Sequence, residues 1–197
     1  MNIIRENIMR NSYLNKLLTI VLLLIIAALP AYSKDAEEKR SEIQAMKTET
    51  LNELYSKEPG ARKHVQNAKG YAVFSNFGMK IFLAGGGKGS GVAINNSTKK
   101  NTYMKMVELQ AGLGIGIKKF RQVWVFENIS DFNHFINSGW ELGGQGTAAA
   151  KLDDDGGSFQ GAISVKPGIW LYQMTEDGLA LELTGKGTKY YQDKDLN

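Results

Sequence analysis

A chain of 197 residues, 43% apolar and 22% charged, is long enough to bury one full hydrophobic core and too short to require two. The absence of cysteine excludes disulfides, thiolate metal sites, a cysteine nucleophile and an acylated N-terminal cysteine. The net charge of +4 hides an asymmetry: residues 34–59 balance to −2, residues 60–121 carry eleven bases against the single acid Glu108, and residues 122–197 balance to −6.

Residues 1–33 have the form of a signal peptide. Arg5, Arg10 and Lys16 make a basic leader, Leu17 to Leu29 is apolar except for Thr19, and Pro30 follows. Ala31-Tyr32-Ser33 then places small residues at the −3 and −1 positions of a cut before Lys34. The apolar run is short of the roughly 20 residues of a membrane span, and an uncleaved N-terminal anchor is the competing reading. The mature chain is expected in the periplasm or outside the cell.

Residues 35–57 carry Ile43, Met46, Leu51 and Leu54 on one helical face, with Asp35–Lys39 and Glu53–Lys57 ordered as favourable i,i+4 pairs. Pro59-Gly60 ends this helix, and Pro59 suits the first turn of a short second one with Ala61, Val65 and Ala68 on one side and Gly70 closing it. From Tyr71 the period becomes two. Tyr71–Phe74, Ile81–Ala84 leading into Gly85–Gly91, Val92–Ile94, Tyr103–Leu109 continuing into Ala111–Ile117, and Val123–Phe126 all read as strand. Asn95–Asn101 is a polar turn. Ser130 is placed to cap a helix over Asp131–Asn137 that Gly139 ends. Gly146–Leu152, Phe159–Val165, Gly168–Met174 and Leu179–Leu183 follow as hairpin strands separated by Asp153–Gly157 and Glu176–Gly178 turns. The expected fold is α+β, a single domain with a strongly curved antiparallel sheet or small barrel, one or two N-terminal helices and one inserted helix. Its segments are 1–33 as signal peptide, 34–58 as N-terminal helix and 59–197 as the domain proper. Trp124, Trp140 and Trp170 are expected in the core, and Tyr190-Tyr191 as a final strand or an interfacial pair.

No catalytic or cofactor motif assembles. In Gly85–Gly91 Phe82 stands where a phosphate loop needs its first glycine, Gly89 follows Lys88, and both flanks are β-type, so a β-bulge or a close backbone crossing fits better than a nucleotide site. Asp153–Asp155 lack the alternation and downstream glutamate of a calcium loop. His64 and His134 have no ligand at i+3 or i+4, and neither Ser90 nor Ser164 lies in a nucleophile elbow. A non-enzyme without cofactor, metal, nucleotide or nucleic acid is expected.

The ordered set Ala72-Val73-Phe74, Gly85-Gly86, Gly89-Ser90-Gly91-Val92, Gln110-Ala111-Gly112, Val123–Phe126, Gly143 before Ala148–Ala150, Tyr172, and Gly178-Leu179 leading to Gly185 resembles the SYLF domain family over roughly residues 60–190. The resemblance implies binding of anionic lipids, phosphoinositides in eukaryotic members, some of which act on actin at membranes. It also implies an envelope role for exported members. Two departures limit it. The helix before the domain leans acidic rather than basic, and the family's closing tyrosine motif can be placed only loosely, at Tyr190-Tyr191. An exported protein would meet neither cytoplasmic phosphoinositides nor actin.

The basic section supplies the candidate anion-binding residues Lys88, Lys99, Lys100, Lys105, Lys118, Lys119 and Arg121, and the partner they imply is anionic lipid or a membrane surface. One long strand over Tyr103–Ile117 would hold the two clusters apart; a sharp fold at Gly112–Gly116 would bring them to one face. The competing reading is a structural or protein-interaction domain, with this charge as a solvated or protein-binding surface.

Overall fold

The computed structural model describes residues 35–81, 84–111, 116–142, 151–152, 161–175, 178–179 and 187–197. The expected signal peptide and the Asp153–Asp155 turn lie outside them. The chain divides into two compact units, Met1–Arg40 and Ser41–Asn197. Of the first, residues 35–40 are described, where Lys39 Nζ lies 2.8 Å from Asp35 Oδ2.

Helix α1 spans residues 35–57. Its apolar stripe is the expected one: Ile43 and Leu54 are buried, and Met46 and Leu51 are half-buried. Helix α2 (Gly60–Asn67) starts at Pro59 and buries Ala61, His64 and Val65. It ends at Ala68, not at Gly70, which already opens β1. Among the described residues no helix is long and apolar enough to cross a membrane.

The strands are β1 (Gly70–Ile81), β2 (Ala84–Asn95), β3 (Asn101–Ala111), β4 (Gly116–Phe126), β5 (Trp140–Leu142), β6 (Lys151–Leu152), β7 (Ile163–Lys166), β8 (Ile169–Thr175), β9 (Gly178–Leu179) and β10 (Thr188–Gln192), with helix α3 (Ile129–Ser138) inserted before β5. Among the described residues they form one antiparallel sheet in the order β5-β10-β3-β2-β1-β4-β8-β7-β6, with β9 on β8, curled into a half-barrel. The α+β fold expected from the alternating patterns is the one found. The order β3-β2-β1-β4 is a Greek key, because the fourth strand returns to lie beside the first.

Several local expectations change. Ile81 pairs with Ala84, so these two residues belong to different strands, β1 and β2, rather than to one. Gly85–Gly91 lies inside β2 in unbroken register with both neighbours, so there is no bulge; the close backbone approach does occur. Tyr103–Ile117 is two strands, β3 and β4, with β2 and β1 between them, and residues 112–115 lie outside the described set. Ser130 sits within α3 rather than capping it; Asn128 holds the N-cap without a side-chain bond. Gly139 does end α3, at a φ of 70° that favours glycine. Tyr190-Tyr191 belongs to the strand β10.

Both faces of the central strands are buried, by alternation. Ala72, Phe74, Trp124, Phe126, Ile169 and Leu171 face α3, whose Phe132 and Phe135 pack among them. Val73, Val123, Val125, Tyr172 and Met174 face Leu54 of α1 and Ala61, Val65 and Ala68 of α2. The curl can be measured by one contact. Tyr190 of β10 donates its hydroxyl proton to Gln122 Oε1 of β4 at 2.7 Å, and Gln122 Nε2 donates to Gln173 Oε1 of β8 at 3.0 Å. In a flat sheet β10 and β4 would be four strand spacings apart, roughly 19 Å. The concave face must therefore close on itself, and β2 lines it with glycine. A Cβ at Gly91 would fall on the Val73 carbonyl oxygen and the Phe74 ring; one at Gly89 would lie 2.6 Å from Met106 Cγ.

Substitution of Gly91 should thus be selective in its cost. Gly91→Ala is expected to lose about 1–3 kcal/mol through overpacking. Gly86→Ala, whose nearest atom would be the Glu108 carbonyl oxygen at 3.7 Å, is expected to be neutral or stabilising by up to about 1 kcal/mol. Urea unfolding of the two variants measures the difference.

Candidate functional site

Antiparallel pairing sorts the basic residues. Arg121 (β4), Ser75 (β1), Ser90 (β2), Lys105 (β3) and Tyr191 (β10) lie opposite one another in one cross-strand row. The next row holds Lys119, Phe77, Lys88, Val107 and Lys189. Residues opposite one another share a face of the sheet, and these rows continue the face on which α1 and α2 lie. Lys118 stands opposite Gly78, at the alternate position of β4. The sequence cluster Lys118-Lys119-Arg121 is therefore divided by strand alternation, and the side chains of Lys118 and Lys119 lie outside the described residues.

Two of the candidate cations are already engaged. Arg121 donates from Nη1 to Glu53 Oε2 at 2.7 Å and from Nη2 to Glu49 Oε1 at 2.6 Å, tying α1 to β4. Partial burial tends to raise the Glu53 carboxyl, but the hydrogen bonds and charges of Lys57 and Arg121 outweigh it and hold the group below its ordinary range. Gln44 Nε2 donates to the Tyr103 hydroxyl at 3.1 Å, a second tie from α1 to the sheet. Lys105 Nζ lies 2.8 Å from Asp193 Oδ1 and 3.4 Å from Asp195 Oδ2, and its hydrogen bond to Asp193 raises its pKa. Lys88 is exposed and has no ion pair among the described residues.

Lys99 and Lys100 lie elsewhere. They are exposed in the turn between β2 and β3, where Asn95 Oδ1 accepts from Ser97 N at 2.9 Å and Thr98 N at 3.0 Å. Asn96 docks this turn on α2: its Nδ2 donates to the carbonyl oxygens of Val65 and Ala68, each at 2.8 Å, and its N–H to that of Lys69 at 3.0 Å. Exposed Lys69 thereby joins Lys99 and Lys100 at one end of the sheet, with Lys63 also exposed on α2. Asn95 lies seven residue steps along β2 from Lys88, roughly 23 Å of strand. The candidates form two groups. Lys69 and Asn96 were not singled out from sequence, because nothing in a polar turn names the helix end it will meet.

Among the described residues no three His, Cys, Asp or Glu side chains are placed to share a metal ion. What the geometry offers is electrostatic: one end with three exposed lysines, and a face whose strongest cation is held by α1. Arg121→Met should cost about 1 kcal/mol, the scale of a half-exposed ion pair. The deficit should shrink in 1 M salt, where the screening length falls to about 3 Å, as urea unfolding at two salt concentrations would record. Because the Glu53 carboxyl is depressed, its share of this tie is complete above the ordinary value of 4.5 and is lost as pH falls through its folded value.

No family model matches the chain. Over 164 residues it is 37% identical to Beta cell expansion factor A of Aeromonas veronii, a match covering 83% of this chain and 60% of that protein. The chain is thus similar to that factor over most of its own length, while spanning less than two thirds of the factor's.

Proposed function

We propose that this chain is an exported, non-catalytic module that binds anionic lipid, or another polyanion of the cell envelope, through its basic surface. The observation that carries the reading is the grouping of Lys69, Lys99 and Lys100 at one end of the sheet, all exposed and without an ion pair among the described residues. Lys88 adds a cation on the α1 face. The resemblance of the ordered glycine-rich motifs to the SYLF family supports a lipid ligand. Export rests on the basic leader, apolar run and small-residue cut site before Lys34.

The alternative, a structural or protein-interaction domain of the envelope, draws support from Arg121 and Lys105. Their charge is used inside the fold, so part of the basic section is not offered to any ligand.

Each lysine near an anionic bilayer contributes about 1 kcal/mol, fading over about 8 Å at physiological salt. Lys69→Glu, Lys99→Glu and Lys100→Glu together should therefore weaken binding to phosphatidylglycerol vesicles at least about a hundredfold. Co-sedimentation of the folded triple variant with anionic and phosphatidylcholine vesicles checks this. Equal binding by variant and wild type removes these lysines from the site. Indifference of the wild type to both vesicles favours the interaction domain.

A further inference from the structure

The two faces of β1–β4 exchange polarity along the strands. On the face toward α3, Phe74 and Met104 are followed by Phe120, Met106 and Tyr190, all buried. Farther along, the same face holds Lys118, Gly78, Gly87, Glu108 and Thr188, and then Gly116, Lys80, Gly85 and Gln110. The α1 face changes in the opposite sense. Its row of Lys119, Phe77, Lys88 and Val107 gives way to Ile117, Met79, Gly86 and Leu109, and then to Ile81, Ala84 and Ala111. The alternation is visible in β2, where Gly86 and Lys88 are exposed and Gly87 between them is buried.

A sheet in water keeps apolar positions on its packed face and polar ones outside. Apolar outside and polar inside is the pattern of strands in lipid. Over β1–β4 neither apolar row nor the lysine row beside them holds an acid. Glu108, the one acid of residues 60–121, is on the α3 face and 1% exposed. Glu141 of β5 enters the lysine row only at its far edge, opposite Lys189. Two apolar rows bordered by cations match hydrocarbon beneath anionic headgroups.

We propose that these strand ends are a bilayer-insertion surface, whose two apolar rows enter an anionic membrane with Lys88 and Lys119 at the height of the headgroup phosphates. The proposal takes its class of ligand from the lipid reading above. It adds a contact separate from Lys69, Lys99 and Lys100, at the other end of the strands. Lys88 and Ala84 are four residue steps apart along β2, roughly 13 Å of strand. That is short of the roughly 9–11 residues a strand needs to span a bilayer, and close to half of its hydrocarbon core of about 30 Å. The strand ends enter one leaflet and do not cross.

The chain has no cysteine, so one introduced thiol takes one label. Met79→Cys, Leu109→Cys and Ser97→Cys, each carrying a nitrobenzoxadiazole fluorophore, are mixed at saturating lipid with phosphatidylglycerol vesicles containing a mid-chain doxyl quencher. Labels at 79 and 109 should brighten several-fold on binding and lose most of that emission to the quencher, while the label at 97, in the lysine turn, escapes it. Vesicle binding with the 79 and 109 labels left in water refutes insertion and leaves the lysine end as the contact. Full quenching at 79 and 109 in a Lys69→Glu, Lys99→Glu, Lys100→Glu background that binds like wild type keeps this surface and removes the lysine end. A chain that binds no vesicle overturns the proposal. So does a label that responds to protein concentration instead of lipid, as between two copies of the chain. Should a labelled chain not fold, NMR of the unmodified chain on anionic bicelles decides. Doxyl lipid should broaden the amides of Gly86 and Leu109 and spare that of Ser97; the reverse pattern refutes insertion.

Discussion

The hydrogen bond from Tyr190 to Gln122 joins strands that the order of the sheet places four spacings apart, and it can form only because the sheet curls back on itself. Curling crowds the concave face, and side chains from β1, β3, β4 and β10 converge there. Phe74 and Tyr190 ring centroids are 5.0 Å apart, Trp124 and Tyr190 5.3 Å. The strand between them must yield that space. β2 does so by presenting Gly89 and Gly91 where Met106 and Phe74 lie. The cost of those glycines in backbone entropy is offset by aromatic contacts of about 0.5–1.5 kcal/mol each beyond area burial. Burial also raises the Tyr190 phenol, which keeps it a donor to Gln122.

With the concave face filled by aromatic residues and α3, the other face is left to α1 and α2. There apolar packing by Leu54, Ala61 and Val65 is combined with the Arg121 carboxylate pairs. One basic strand position, Arg121, thus lies beneath an acidic helix and is matched by Glu49 and Glu53. Exposed Lys69, Lys99 and Lys100 lie instead around the turn after β2, which Asn96 holds to the end of α2.

Period-two alternation made most strands legible, and the i,i+3/i+4 stripe of Ile43, Met46, Leu51 and Leu54 made α1 legible, because each is a local pattern imposed by one buried face. Strand order was not. Tyr103–Ile117 read as continuous since both halves alternate, and only long-range pairing shows that two strands lie between them. The same holds for the site. Charge density located the basic section, but whether a lysine is exposed or paired depends on carboxylates distant in sequence: Arg121 meets Glu49 and Glu53 seven decades of numbering earlier, and Lys105 meets Asp193. The clamp formed by Asn96 was equally hidden, being a contact between a turn and the end of a helix 28 and 31 residues away.

The central claim, that the fold depends on a sheet curled tightly enough for β10 to touch β4, is most directly tested by a double-mutant cycle. Tyr190→Phe and Gln122→Leu, measured singly and together by urea unfolding, should be coupled by about 1 kcal/mol or more, as expected of a buried hydrogen bond. Additivity within about 0.3 kcal/mol would mean the two side chains do not meet, and would contradict the curl from which the rest of the architecture follows.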